Sequence, residues 1–256
     1  MGYGVFHWPA RSVIIGLIIT LGYLPTQSIA DATEEVRGLV RPVSRAVLSS
    51  EIRDRIVRIG YRVGETFGKG DTLLEFDCKY YRAELKAKSA LYKAENAQYK
   101  NNLRLLELNA TSDIEVEVSA ARAEEALAEK NKAEIQVTSC VVNAPYAGAV
   151  DSLLVNESEN VAPSTELMTI LSHADLEIEL LVPSAWLRWI KPTALFSLRV
   201  DETGTEHECE ISRVAASVDP VSQTVLVIAK FVDAEAAAAV PVLAGMSGSA
   251  RFDITP

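Results

Sequence analysis

Short apolar runs separated by glycine-rich turns occupy two distant segments of the chain, residues 47–77 and 141–171. In the first segment, the glycine-rich stretch 64–71 leads into the apolar run Thr72–Phe76. In the second, Gly148 precedes a run in which β character resumes. This pattern predicts short strands joined by tight turns. We interpret the two segments as the halves of one small sandwich.

Between the two halves the hydrophobic period changes from two to about 3.6 residues, which predicts helices. A seam of residues three and four apart runs along the first helix: Tyr80, Ala83, Ala87, Ala90, Ala94 and Ala97. The second helix carries a similar seam: Val116, Ser119, Ala123, Ala126, Lys130, Ala133 and Val137. Ser112 and Glu115 have the spacing of a capping box, so the second helix should begin there. We expect residues 78–140 to form an antiparallel coiled-coil hairpin, roughly 45 Å long, in which these seams meet.

The part of the chain after the second half, residues 172–256, contains several short runs in which polar and apolar residues alternate. Few helical patterns interrupt these runs, so they predict a small antiparallel β-barrel. Before the first half, residues 31–46 alternate in the same way and are interrupted by Gly38 and Pro42. That segment is predicted to be extended, with no partner strand assigned to it.

Residues 1–30 have the features of an export signal. Arg11 precedes an apolar run over residues 13–24, and Ser28 and Ala30 place small residues before a cleavage position. The run is well short of the ~20 residues that span a bilayer, so we favour a cleaved signal peptide over a retained anchor. The mature protein would then lie outside the cytoplasmic membrane, in an oxidising compartment.

The charge of the chain argues against one class of partner. Its formal net charge is -10 at pH 7, with a pI near 4.9. Proteins that bind nucleic acid usually present a basic surface that neutralises phosphates, so we expect no nucleic acid among the partners. Catalysis is also poorly supported, because only His173 and His207 remain as histidines after export and no glycine-framed serine is present.

Several motifs, taken in order, resemble a known family. The first half contains Gly64-Glu65, Lys69-Gly70-Asp71, Leu73-Leu74 and Phe76-Asp77, and the second opens with Asn143-Ala144-Pro145-Tyr146-Ala147-Gly148-Ala149-Val150. The barrel region contains Asp219-Pro220, Gln223-Thr224-Val225 and Leu243-Ala244-Gly245-Met246. With the heptads between the halves, this order resembles the HlyD-like membrane fusion proteins, the periplasmic adaptor subunits of tripartite efflux and secretion systems. Ser158 and Ser164 stand where that family has glycines, and we expect their turns to be built differently because serine is disfavoured at positive φ.

The resemblance implies a mainly β fold with an inserted α-helical coiled-coil hairpin. Its parts would be a lipoyl-like barrel-sandwich hybrid (47–77 and 141–171), the hairpin (78–140) and a small antiparallel β-barrel (172–256), in an elongated molecule. It also implies a periplasmic protein, associated with the cytoplasmic membrane, that is not an enzyme and has no cofactor. Copies would form a homo-oligomeric ring that couples an inner-membrane transporter, of RND or ABC type, to an outer-membrane channel. The alternative is a periplasmic scaffold for envelope assembly or polysaccharide export without an efflux pump.

The end of the predicted hairpin is the candidate site for docking a partner. Family members that dock tip to tip with a channel commonly carry an arginine, a leucine and a serine there. Leu105 and Ser112 keep the leucine-to-serine interval, whereas Asn101 occupies the arginine position. Leu108 adds an apolar side chain of the kind that helical docking requires. We therefore expect Leu105, Leu108 and Ser112 at the partner contact.

Cys78 and Cys140 stand at the two ends of the predicted hairpin, whose folding should bring them together. In an oxidising compartment they could form a disulfide across its neck. The alternative is a pair of buried, unbonded thiols. We favour this alternative because the axes of neighbouring helices often stand 8 to 10 Å apart.

Two further candidate sites have simpler explanations. Lys79 lies near the turn at which a lipoyl or biotinyl carrier presents its modified lysine, but the inserted helices would place it on a helix flank, where it is solvated. His207 and Cys209 would share one face of a strand and could supply half of a metal site. No other Cys/His cluster offers the missing ligands, and a polar barrel rim accounts for the neighbouring charges. We therefore predict neither a cofactor nor a metal.

Overall fold

The computed structural model describes residues 1–5, 7, 33–173, 175–233 and 242–253. The elements in chain order are β1 (Thr33–Pro42), β2 (Arg45–Ser49), β3 (Asp54–Ile59), β4 (Thr66–Phe67), β5 (Thr72–Phe76), α1 (Lys79–Glu107), α2 (Asp113–Thr138), β6 (Val141–Asn143), β7 (Gly148–Leu153), β8 (Asn160–Val161), β9 (Glu166–Leu171), β10 (Leu176–Pro183), a 3-10 helix (Ser184–Arg188), β11 (Leu195–Val200), β12 (Glu206–Asp219), β13 (Thr224–Phe231) and β14 (Ser247–Asp253). Most of the export signal predicted over residues 1–30, including its apolar run, lies outside the described residues.

Two four-stranded sheets, with strand orders β2-β9-β7-β4 and β6-β5-β3-β8, form a sandwich around one hydrophobic core. Each sheet combines strands from both halves of the sequence. β2 pairs with β9 and β4 with β7 in one sheet, while β3 pairs with β8 and β5 with β6 in the other. The pairing that the sequence predicts between the two distant segments is therefore observed. Leu73, Leu74 and Ile56 from the first half and Leu167 and Ile170 from the second are fully buried in the shared core.

Ser158 and Ser164 stand where the family that the sequence resembles has glycines. Their backbone nevertheless has a conformation that suits glycine better than serine. Ser158 has φ 69° and Ser164 has φ 68°, the left-handed region that glycine tolerates best. In the second turn the Ser164 N–H donates to the Ser50 carbonyl over 2.7 Å, which anchors the loop to the other half of the sandwich. The expectation that these turns avoid positive φ is wrong. Serine bears the steric strain because the backbone hydrogen bonds hold the turn.

The second β unit is a closed barrel with the strand order β1-β10-β13-β12-β11-β14. Its closing strand, β1, comes from the segment to which the sequence assigned no partner, and it lies between β10 and β14. Aromatic rings fill one end of the interior, where Phe196 and Phe252 stack with centroids 4.7 Å apart. Gly248 is required at the contact of β14 with β11, because a Cβ atom there would lie 2.5 Å from the carbonyl oxygen of Arg199.

The sandwich and the barrel are joined by two chain crossings that hydrogen-bond to each other. The Ser172 N–H donates to the Ser44 carbonyl over 2.8 Å, and the Ser44 N–H donates to the Ser172 hydroxyl over 3.1 Å. That hydroxyl donates to the Asp175 carbonyl over 3.0 Å. Ser172 is buried, so this small network is shielded from water at the joint.

The chain leaves the sandwich after β5, forms α1 and α2, and returns to the sandwich at β6. The two helices lie side by side in opposite directions, because the start of α1 and the end of α2 are adjacent at Cys78 and Cys140. We call α1, α2 and the turn between them the helical pair. At 1.5 Å per residue, its turn lies roughly 40 Å from the sandwich. Within the described residues, no helix has the length and apolarity needed to cross a membrane.

The seam predicted on α1 is wrong, whereas the seam predicted on α2 is confirmed. All six residues of the α1 prediction are exposed: Tyr80, Ala83, Ala87, Ala90, Ala94 and Ala97. The shielded positions of α1 instead include another heptad series: Tyr81, Leu85, Lys88, Tyr92, Glu95, Tyr99, Asn102 and Leu106. All seven predicted positions of α2 are buried or half-buried. Large side chains of α1 therefore cover the small side chains of α2, and the alanine stripe of α1 faces solvent.

Candidate functional site

The end of the helical pair farthest from the sandwich is a tight turn fixed by backbone hydrogen bonds. The N–H of Asn109 donates to the carbonyl of Leu106 over 2.9 Å, and the N–H of Ala110 donates to that of Leu105 over 2.8 Å. Asn109 adopts φ 53°, which ends α1 in the left-handed conformation that asparagine tolerates. These contacts hold the ends of both helices in fixed positions.

Ser112 is the N-cap of α2, as the sequence predicts. Its backbone is extended, and its hydroxyl oxygen accepts a hydrogen bond from the Glu115 N–H over 3.3 Å. Asp113 and Glu115 place two carboxylates in the first helical turn, where the helix dipole favours negative charge. The geometry gives Ser112 a local structural role at the tip, in addition to the docking role that the family resemblance implies.

Exposed apolar side chains cluster around this turn. Leu108 is 74% exposed and Ile114 is 72% exposed, and Leu103 and Val118 are exposed beside them on α1 and α2. We call these four residues the tip patch. Leu105, which the sequence also predicts at the partner contact, is half-buried.

Sequence reasoning identified Leu108 but missed Ile114 and Val118. These two residues are four apart on α2 and lie outside its buried seam, so they share a second face of the helix. Apolar residues at this spacing off the seam were a signal in the sequence. The heptad pattern does not include them, so it does not predict them. The tip patch therefore includes a side of α2 as well as the end of α1.

The two helices carry opposite net charge. α1 contains seven basic and three acidic residues, and α2 contains seven acidic and three basic residues. Part of this charge is used within the pair, where Lys88 Nζ lies 3.1 Å from Glu129 Oε2. Most of the rest is exposed, so one outer flank of the helical pair is basic and the other is acidic.

At the other end of the helical pair, Cys78 and Cys140 are joined by a disulfide, with their Cα atoms 6.0 Å apart. Both residues are buried in the core of the sandwich. The axis separation of 8 to 10 Å that favoured unbonded thiols does not apply here, because both cysteines flank the helices instead of facing each other along them. Beside the disulfide, Lys79 and then Arg55 lower the pKa of Asp77 through hydrogen bonds and charge.

The other sequence candidates are placed as follows. Lys79 is the first residue of α1, with an exposed side chain that pairs with Asp77 over 3.3 Å. His207 and Cys209 share the inward face of β12, but the His207 ring bonds to the Thr205 hydroxyl over 2.8 Å. Burial raises the pKa of the Cys209 thiol to about 12, which disfavours the thiolate that a metal requires. Among the described residues, no group of three or more His, Cys, Asp or Glu side chains could hold a metal ion.

Comparison with known proteins shows what this chain is similar to. No protein-family model matches the sequence. Nodulation protein NolF of Rhizobium meliloti strain 1021 is 27% identical over 214 residues, which cover 77% of this chain and 58% of NolF. The chain therefore spans less than two thirds of the length of that relative.

Two solved structures resemble the fold of this chain over most of its length. A MacA–MexA chimeric protein containing the Pseudomonas aeruginosa MexA α-hairpin domain matches with a TM-score of 0.74 and 15% identity, over 88% of this chain and 82% of the chimera. The membrane fusion protein Spr0693 of Streptococcus pneumoniae R6 matches with a TM-score of 0.69 and 14% identity, over 87% of this chain and all of Spr0693. The chain has the fold of the membrane fusion proteins. The resemblance stated from the sequence is confirmed, as is a mainly β membrane fusion protein architecture with a six-stranded barrel.

Proposed function

We propose that this protein is a non-catalytic periplasmic adaptor that couples an inner-membrane transporter, of RND or ABC type, to an outer-membrane channel for efflux or secretion. The N-terminal export signal would deliver it across the cytoplasmic membrane, where it stays associated with that membrane. The barrel and sandwich would rest on the transporter, and the helical pair would reach toward the channel. The fold shared with a membrane fusion protein supports this assignment.

One observation carries the proposal: the tip patch lies at the end of an arm roughly 40 Å from the sandwich. Leu108 and Ile114 are large apolar residues that are about three quarters exposed at the turn, and neither belongs to a hydrophobic core among the residues that the structure describes. Solvent exposure of such residues on a fixed surface is typical of a protein contact. We propose that the tip patch, with Leu105 and Ser112, docks the channel.

The oligomeric ring implied by the family resemblance is also part of the proposal. We propose that the helical pairs are coiled-coil arms and that the basic flank of one packs against the acidic flank of the next. The exposed alanines of α1 would allow a neighbouring helix to approach closely. Because surface ion pairs are screened by salt, self-association measured by sedimentation velocity should weaken between about 50 mM and 500 mM salt. An association that strengthens with salt would contradict packing through these flanks.

Paired substitutions on α2 test the docking role of the tip. Ile114→Glu introduces a charge into the tip patch, and Ile135→Glu is the matched control, because Ile135 is 65% exposed near the opposite end of the same helix. Cells that lack the gene are first compared with wild type for hypersensitivity to a panel of exported compounds. We expect the Ile135→Glu chain to restore wild-type growth and the Ile114→Glu chain to fail, although both accumulate to equal levels with unchanged helix content.

Full restoration by Ile114→Glu would contradict docking through the tip. If loss of the gene changed envelope integrity or surface polysaccharide without altering sensitivity to any exported compound, the scaffold function would replace the adaptor function. In that case the same two variants would show whether the scaffold also depends on the tip.

A further inference from the structure

A single side chain of α1 is fully buried, and it is polar. Asn102 is 3% exposed, whereas every other residue of α1 is exposed or half-buried. It belongs to the heptad series that faces α2, in which the next position is Leu106, four residues later. The burial of an amide at this position is unexpected, because most residues of the corresponding seam on α2 are apolar.

The amide of Asn102 is only partly satisfied. Its Oδ1 accepts a hydrogen bond from Gln98 Nε2 over 3.0 Å, but its Nδ2 has no acceptor within the described part of the chain. Gln98 itself is exposed and can equally bond to water. A buried donor without an acceptor destabilises the packing around it, and an asparagine in a helical seam lowers stability relative to an apolar residue.

The position of Asn102 divides the helical pair into two unequal parts. Toward the sandwich, the helices are held by the disulfide, the Lys88–Glu129 ion pair and several turns of seam. Beyond Asn102, the segment 103–118 contains only the last turn of α1, the connecting turn and the first turn and a half of α2. The unsatisfied amide of Asn102 thus lies next to the segment 103–118, which few further contacts hold in its packed form.

We propose that Asn102 is a weak layer that lets the segment 103–118 open and repack without unfolding of the rest of the helical pair. The consequence is a tip whose half-buried Leu105 and Leu106 become accessible in the open form, in addition to the tip patch. This property belongs to the isolated chain, and it does not depend on the identity of any partner. It therefore stands or fails separately from the adaptor function.

Hydrogen exchange measured by mass spectrometry on the purified mature chain tests the proposal. Asn102→Leu replaces the amide with an apolar side chain of similar size, and Asn101→Leu makes the same substitution one residue earlier on the exposed face. We expect Asn102→Leu to slow amide exchange over residues 103–118 by about tenfold, the effect of removing one buried donor that has no acceptor. Exchange over residues 79–95 should stay unchanged, and Asn101→Leu should leave both regions as in wild type.

A second variant keeps the test decisive if leucine packs poorly at this site. Asn102→Asp places a charge in the same layer and should accelerate exchange over residues 103–118, again without effect on residues 79–95. Unchanged exchange at the tip in both variants would overturn the proposal. A uniform change along both helices would also overturn it, because Asn102 would then affect the stability of the whole helical pair instead of dividing it.

Discussion

At the scale of single residues, Asp71 joins the glycine turn of the first half to the rest of the sandwich. Its carboxylate accepts hydrogen bonds from the Gly68 N–H and the Tyr61 hydroxyl, each over 2.8 Å. These two donors, the Gly68 N–H first, lower the pKa of the Asp71 carboxyl. The backbone of the same residue pairs with Ala144 of the second half, where the Ala144 N–H donates to the Asp71 carbonyl over 2.9 Å.

This arrangement makes the stability of the sandwich depend on acid pH. A carboxyl with a lowered pKa in the folded state stabilises the fold above its unfolded pKa, and this stabilisation is lost as the pH falls through the folded pKa. Asp71→Asn should therefore be less stable than wild type at pH 7, with a smaller difference near about pH 3. Urea unfolding at both pH values measures this, with exposed Asp175→Asn as the control for loss of one charge. A stability difference that grows on acidification would contradict the role of the carboxylate.

At the scale of elements, the disulfide at the neck fixes where the helical pair leaves the sandwich. Cys78 and Cys140 are 62 residues apart in sequence, and closing a loop of that length stabilises the fold by about 4 kcal/mol in the chain-entropy model. We expect the double variant Cys78→Ala, Cys140→Ala to unfold at correspondingly lower denaturant concentration. Peptide mapping of the exported protein without reductant should recover the two cysteines in one linked peptide. Alkylation of both thiols in the absence of reductant would show that no bond forms.

The helical pair also shows how far periodicity can be used and where it fails. Spacing alone predicts two helices, the start of the second at Ser112 and the seam of α2, and the structure contains all three. Of the predicted capping box it shows the bond from the Glu115 N–H to the Ser112 hydroxyl. On α1, two heptad series run in parallel, and spacing cannot decide which one faces the partner. The alanine series has regular 3-4 spacing, which is why it predicts a seam. Tyr92 and Tyr99 of the other series are half-buried, so that series is the one shielded from solvent. Burial of a large aromatic side chain removes more apolar area from water than burial of an alanine does.

The same limitation explains why the sequence does not predict two residues of the tip patch or the partners of the first strand. Ile114 and Val118 do not belong to a seam, and exposure of an apolar residue is a property of the folded surface rather than of its spacing. The alternation in β1 predicts a strand but does not name its neighbours, which lie more than a hundred residues away in β10 and β14. The order of the motifs therefore predicts the β units, whereas the exposure of side chains can be seen only in the folded structure.

At the scale of the whole molecule, the pairing of two distant segments has a mechanical consequence. Because β5 and β6 are neighbouring strands of one sheet, both ends of the helical pair are anchored at the same place. The joint at Ser172 holds the barrel to the same sandwich. The molecule thus carries the barrel and the tip patch on one scaffold.

Site-specific photo-crosslinking in intact cells tests this account most directly. A photoreactive residue at Leu108 reports on the tip, and one at Leu91, an exposed position midway along α1, is the control on the same arm. The adaptor function predicts that Leu108 captures an outer-membrane channel and that Leu91 does not. Capture of a wall or polysaccharide enzyme at Leu108, or of no outer-membrane protein at all, would contradict it.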